Sequence, residues 1–333
     1  MWTKPFGMRE GFLIGGGLIF AGLILQLSVG PIDWNAFRWP VNGFVMAGFL
    51  TIIGIIYLLR KRVYGFQFIG TYKAAIPAMV YAVVLTIVMG LTRQKSLTPT
   101  PSPMGDGNLW INYMLNFWSF VLIYVYIAVI LGQIILRRIS HFQWKRDIPF
   151  LLNHLGLFLA MTTATLGNAD VQQLKMITVK GETEWRALTQ EQQIVELPFA
   201  IELKKFIMET YDDGSPKRFA SDIQILTKTG KATGRRVSGN QRSLAERLRV
   251  GERSSGIGKS NENIQTTVEV NKPVEVDGWK IYQYGYDTQT GAMSQTSILE
   301  LVSDPWLPLV YTGIYMMLGG AVCMFLKGKK VKK

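Results

Sequence analysis

Imidazole and thiolate are among the side chains that best hold a transition metal, and this sequence of 333 residues has only three of them: His141, His154 and Cys323. With a single cysteine there is no intrachain disulfide and no Cys-x-x-Cys pair for redox or zinc chemistry. Cys323 falls within an apolar run, where a thiol serves as a small packing residue. His141 lies in the polar connection RRISHFQWKRD and reads as an ordinary interfacial residue. His154 is different, because it stands inside RDIPFLLNHLGLFLAMTTATLGNAD, a stretch apolar enough to cross a membrane. An ionisable group at membrane depth is costly and by default functional, with a partner to be named. Two readings are open: a neutral imidazole hydrogen-bonded to a neighbouring helix, or a free lone pair that ligates a metal or haem iron.

The elements that must position His154 are apolar spans. Hydrophobic residues make up 48% of the chain and fall in blocks separated by polar stretches, which predicts a polytopic α-helical membrane protein with one sizeable polar domain. The expected spans are 11–29, 41–59, 74–91, 112–136, 149–167 and 306–326, each near the ~20 residues that a helix needs to cross the hydrocarbon. The first has no convincing small-residue cleavage site after it and reads as a retained anchor. Gln26, Asn116, Gln133 and Asn153 are among the uncharged polar residues within these spans, and no Asp, Glu, Lys or Arg accompanies them. A proton-coupled permease normally carries carboxylates at that depth, so solute transport is disfavoured.

Basic residues set the expected orientation. One set of connections holds Arg60, Lys61, Arg62, Arg137, Arg138, Arg146 and the tail GKKVKK, whereas the short loops opposite hold only Arg38, Arg93 and Lys95. The positive-inside rule then places both termini in the cytoplasm and residues 168–305 outside. Those outer residues contain 18 Lys and Arg against 19 Asp and Glu, so the chain's net charge of +13 belongs to the remainder. The high basicity records topology, and no nucleic-acid partner is expected. Asp147 is read as the N-cap of the span that carries His154, with Ile148-Pro149 as its first turn. That puts His154 about five residues, roughly 8 Å, into the helix.

Segment 168–305 reads as an antiparallel β-domain between the fifth and sixth spans. ELPFAIELKKF alternates in part, DIQIL puts Ile223 and Ile225 on one face, and TTVEVNKPVEVDGWKIYQYGY holds two alternating runs around Asp277-Gly278, a hairpin signal. Residues 229–263 carry eight basic and three acidic residues among Gly and Ser, which predicts a mobile basic loop able to meet lipid, a partner or the carboxylates of a ligand. With no histidine in this domain, Met176 and Met208 are its weak candidates for an iron ligand, and both read better as core or edge residues.

Four stretches, RDIPFLLNHLGLFLAMTTATLGNADVQQLKM, LPFAIELKKFIMETYDDGSPKRFASDIQIL, VEVNKPVEVDGWKIYQYGYD and ILELVSDPWLPLVYTGIYMMLGG, resemble in order the ResB-like (CcsB-type) membrane proteins of System II cytochrome c maturation. The resemblance covers about 145–325 and leaves residues 1–140 outside it. It implies a bacterial cytoplasmic-membrane protein, with the large domain on the periplasmic side. It further implies that a CcsA-type partner and this chain carry haem b outward for attachment to Cys-x-x-Cys-His apocytochromes c, the haem being held transiently and shared with the partner. The family's haem-iron ligand on the helix before the outer domain matches His154. The partner's tryptophan-rich haem motif and its flanking histidines are absent, so the chain is expected to be at most one subunit of a haem lyase. Membrane lipids are the remaining expected partner. The competing reading is a non-haem assembly scaffold whose β-domain docks another protein, with His154 structural.

Overall fold

The computed structural model describes residues 5–94, 110–190, 192–213, 215–227 and 263–326. The expected basic loop at 229–263 therefore lies outside the described residues except for Asn263, as do most of the Pro-rich connection and the tail after 326. The chain divides into two compact units, one of residues 1–170 with 305–333 and the other of Val171–Asp304.

The first unit is helical: α1 Met8–Val29, α2 Val41–Leu59, the short α3 Tyr64–Ile69, α4 Tyr72–Leu91, α5 Trp118–Ile139, α6 Trp144–Gly167 and α7 Leu307–Leu326. Six of these, all but α3, are long and apolar enough to cross a membrane. Because lipid is as apolar as leucine, such helices associate through close packing and interhelical hydrogen bonds. Both devices are present. At Gly22 of α1 a Cβ would strike the Ser119 backbone of α5, and Ser119 Oγ donates to the Ile19 carbonyl at 2.8 Å. Gln133, wholly buried, donates to the Ile53 carbonyl of α2 at 2.8 Å, while Gln26 accepts from the Trp118 amide that opens α5.

Two expected helix boundaries are corrected. The span expected at 112–136 begins only at Trp118, because residues 110–116 form a 3-10 segment with a non-helical Tyr113. Asn116 is thereby outside the helix, where its side chain donates to the Ile32 carbonyl at 2.6 Å. The helix expected at 149–167 begins five residues earlier, at Trp144 with Gln143 as N-cap. Asp147 is not the N-cap; from the helix's first turn its carboxylate reaches back to accept the Gln143 amide at 2.8 Å, and Pro149 sits inside the helix.

α6 and α7 make the most extensive helix contact among the described residues. Gly156 and Gly313 face each other so closely that a Cβ on either would lie about 2.5–2.6 Å from the other's carbonyl oxygen, and a Cβ on Gly320 would meet the Asn153 amide at 2.8 Å. At one end Asp170 joins three parts of the unit by accepting from the Trp39 amide at 2.8 Å, Asn42 Nδ2 at 2.7 Å and Trp306 Nε1 at 2.6 Å.

The second unit is one antiparallel sheet of β1 Gln172–Val179, β2 Thr183–Leu188, β3 Ile194–Thr210, β4 Pro216–Thr227, β5 Asn263–Glu269, β6 Val274–Val276, β7 Trp279–Tyr286 and β8 Thr296–Ser303. The strand order is β5-β4-β3-β2-β1-β8-β7-β6. Alternation puts one face of every strand into a single core, from Leu174 and Met176 of β1 to Ile223 and Ile225 of β4, Ile281 of β7 and Leu299 of β8. A flat sheet of this order could not close that core, and this one curls. Ser221 of β4 donates to Gln283 of β7 at 2.6 Å, though five places separate those strands. Tyr286 of β7 stacks on both Phe206 and Phe219. The expected hairpin stands: Asp277 and Gly278 both take positive φ between Val276 and its cross-strand partner Trp279. The run before it breaks at Asn271 (φ 65°), which sends β5 and β6 to opposite edges of the strand order. β4 and β5 pair out to Leu226 and Asn263, the last paired residues before the basic segment.

Candidate functional site

The site is built at the start of α6. Asp147, wholly buried, receives Arg146 Nε at 2.8 Å and lies 2.9 Å from Arg138 Nε at the end of α5. This pairing holds the basic ends of α5 and α6 together. Pro149 has no N–H to give the carbonyl one turn back, and the ionic contacts lie in the turn where that hydrogen bond is missing.

His154 follows ten residues after the first helical residue, which is about 15 Å along the axis and not the 8 Å expected from a helix starting later. It shares a face with Phe150 and Phe158, each four residues away. Phe158 stacks on Phe49 of α2 and joins the buried cluster of Ile53, Ala128, Leu131 and Ile135. The Phe150 ring lies parallel to the half-buried imidazole, with centroids 3.8 Å apart and an interplanar angle of 21°. His154 Nδ1 is 2.9 Å from the Phe150 carbonyl oxygen.

That last contact fixes the chemistry of the ring. A carbonyl oxygen only accepts, so Nδ1 carries the proton and donates it. In the neutral imidazole Nε2 then holds the lone pair, and the ring is oriented by its own helix in the way that metal-ligating histidines are oriented by a backbone carbonyl. Among the described residues no group of three or more His, Cys, Asp and Glu side chains could hold a bare metal ion. The donor set instead suits a metal that arrives with most of its ligands already attached. One imidazole beside aromatic and aliphatic side chains could supply a single nitrogen ligand to the iron of such a group.

The remaining sequence candidates fall elsewhere. His141 is exposed in the α5–α6 connection, with Nδ1 2.9 Å from Ser140 Oγ. Met176 is wholly buried in the β-core and Met208 is half-buried on β3. Cys323 is half-buried on α7 with no second cysteine to meet. Sequence reasoning missed the group of Arg137, Arg138, His141 and Arg146 around one cavity beside Phe150. The signal was visible in RRISHFQWKRD, but it was absorbed into the count of topology charges.

Residues 146–298 match the ResB-like family, which takes in most of α6 and the second unit as far as the early part of β8. No curated protein matches the chain. A solved structure of cytochrome c heme lyase CcmF aligns over 85% of this chain at 13% identity with a TM-score of 0.33, a loose likeness. The chain spans 44% of the length of that protein.

Proposed function

From the ResB-like region at residues 146–298, we propose that this chain handles haem in cytochrome c maturation, as a membrane subunit that holds the cargo transiently on His154. The observation that carries the reading is the Nδ1 hydrogen bond to the Phe150 carbonyl, which leaves Nε2 of a lone intramembrane imidazole free to bind iron. α6 presents that imidazole, and the apolar neighbours exclude water from it. Iron in haem takes two axial ligands, and the chain's other histidine, His141, lies in the connection before α6. A bis-histidine site would therefore take its second imidazole from another chain, for which a CcsA-type membrane protein is the proposed partner. The proposed acceptor is an apocytochrome c outside a bacterial cytoplasmic membrane, and the β-unit packs against one of these proteins. Chemistry on the cytochrome belongs to the complex, to which this chain contributes one ligand and a protected path.

Exchange of His154 tests this directly. His154→Gly, co-expressed with the partner, is expected to lose most co-purifying haem, read by the Soret band, and to abolish cytochrome c maturation while still inserting in the membrane. Glycine leaves a cavity at Nε2, so free imidazole is expected to restore part of both. A variant that keeps its haem spectrum and matures cytochrome c without imidazole would show that His154 is structural and would favour a non-haem scaffold.

A further inference from the structure

The basic end of the helical unit contains a cavity of about 320 Å³ lined by Arg137, Arg138, His141, Arg146, Gly70 and Phe150, among others. Three guanidinium groups share it, and Asp147 offsets one of their charges through its contacts with Arg138 and Arg146. The local balance is therefore two positive charges. Arg137 spends donors on the Gly70 and Gln67 carbonyls, both at 2.7 Å, and so is held in place by the backbone. Arg138 Nε is buried and, although 2.9 Å from Asp147, makes no hydrogen bond among the described residues. Arg60, at the end of α2, adds a like-charge interaction with Arg137, and its own Nη1 is buried without a hydrogen-bond partner. Three guanidinium groups that share one carboxylate leave donors and positive charge to spare, and an anion in the cavity supplies acceptors and offsets the like charges at once.

Phe150 indicates what kind of anion. Its ring lines the cavity, lies 4.8 Å from the Arg138 guanidinium and stacks on His154. One aromatic side chain thus joins a doubly positive cavity to the imidazole one helical turn further on. A ligand that follows this line is anionic at one edge and flat and apolar beyond it, with a group at the far end for a nitrogen lone pair. We propose that the cavity holds the two carboxylates of haem at the basic end of the unit, with the macrocycle lying along Phe150 toward His154. This rests on the haem-handling reading above and extends it from the iron to the opposite edge of the cargo. It also gives the site a polarity: carboxylates toward the basic end, iron deeper in the span.

The test uses the full-length chain co-purified with its partner in detergent, titrated separately with haem and with haem dimethyl ester, whose carboxylates are masked, both read by the Soret band. The wild type is expected to bind haem at least tenfold more tightly than the ester. In Arg138→Gln/Arg146→Gln the preference is expected to disappear through loss of haem affinity, with ester affinity unchanged. The half-exposed Arg146 changed alone is expected to remove part of it, and the wild-type comparison needs no substitution, so a misfolded double variant does not blunt the test. Equal wild-type affinity for haem and ester, with both lost in His154→Gly, overturns the cavity assignment and leaves the haem reading standing. Failure of the wild type to bind either overturns both. If haem and ester bind equally and phosphatidylglycerol raises the melting temperature of the wild type but not of the Arg variants, the cavity is a lipid headgroup site and the proposal is wrong.

Discussion

At the scale of single residues, the Nδ1–H donated by His154 to the Phe150 carbonyl separates the two ring nitrogens into a donor and a base. The sequence shows His154 and its apolar setting. It does not show the tautomer, which depends on the ring turning back along its own helix. A comparable side chain sits in the β-unit. The pairing of β2 with β3 shifts register between Glu184 and Arg186, and Glu184 Oε1 accepts the Trp185 and Arg186 amides at 3.0 and 2.9 Å. Its carboxylate also accepts both ends of the Arg186 fork, at 2.9 and 3.0 Å. The Arg186 side chain first, joined by these amides, pulls the Glu184 carboxyl from 4.5 down to about 2 against the opposing effect of burial, which outweighs either amide alone. Since the folded value lies below the ordinary one, this stabilisation is complete above pH about 4.5 and is lost as pH falls toward 2. Glu184→Gln is therefore expected to melt lower than wild type at pH 7, by a modest margin because Arg186 is half exposed. The gap is expected to close in acid; a gap that stays constant from pH 7 to 2.5 would show that the charge on Glu184 contributes nothing.

At the scale of elements, the sequence located the long helices because twenty consecutive apolar residues have few other fates. It misplaced the ends of α5 and α6 for a physical reason. Trp110–Asn116 runs into the apolar helix and carries Ile111, Met114 and Leu115 itself, so a window averaged over about twenty residues did not register the break at Tyr113. In α6 the polar turn Trp144–Asp147 is supported by the ion pair of Asp147 with Arg138 of α5, and that contact is tertiary. In the β-unit, Asp277-Gly278 and the alternation around Ile223 were readable from residue chemistry, whereas the curl that brings β4 to β7 was not. The α6–α7 pair was hidden too, because its glycines are scattered in sequence and meet only in space. Gly313→Leu forces the two backbones apart and is expected to destabilise the pair by roughly 1–3 kcal/mol, seen as a lower melting temperature in detergent. Cys323, the only thiol and already on α7, should then react faster with a maleimide. Unchanged melting and labelling would mean that the pair tolerates the side chain.

At the scale of the whole molecule, the separation of charge predicts a topology. A reporter active only outside the cytoplasm is expected to be active when fused after residue 200 and silent when fused at 65, 142 or 333. Activity at 142 would reverse the orientation of α6 and with it the proposed direction of haem through the site. The charge pattern was legible because the rule concerns composition, but the same arginines also form the cavity wall, and composition cannot distinguish a charge that marks a side from one that faces a ligand. The pairing of Leu226 with Asn263 bears on the rest of the chain in another way. Those two residues are already neighbours across the β4–β5 ladder, so the sheet does not need the basic segment that joins them in sequence, and lengthening a loop costs little once its ends are fixed. The junction is a place where the gene can tolerate editing: exchange of 228–262 for a short Gly-Asn turn is expected to leave melting unchanged, and an affinity tag or fluorescent module spliced there becomes a handle for purification or imaging that leaves the strands undisturbed.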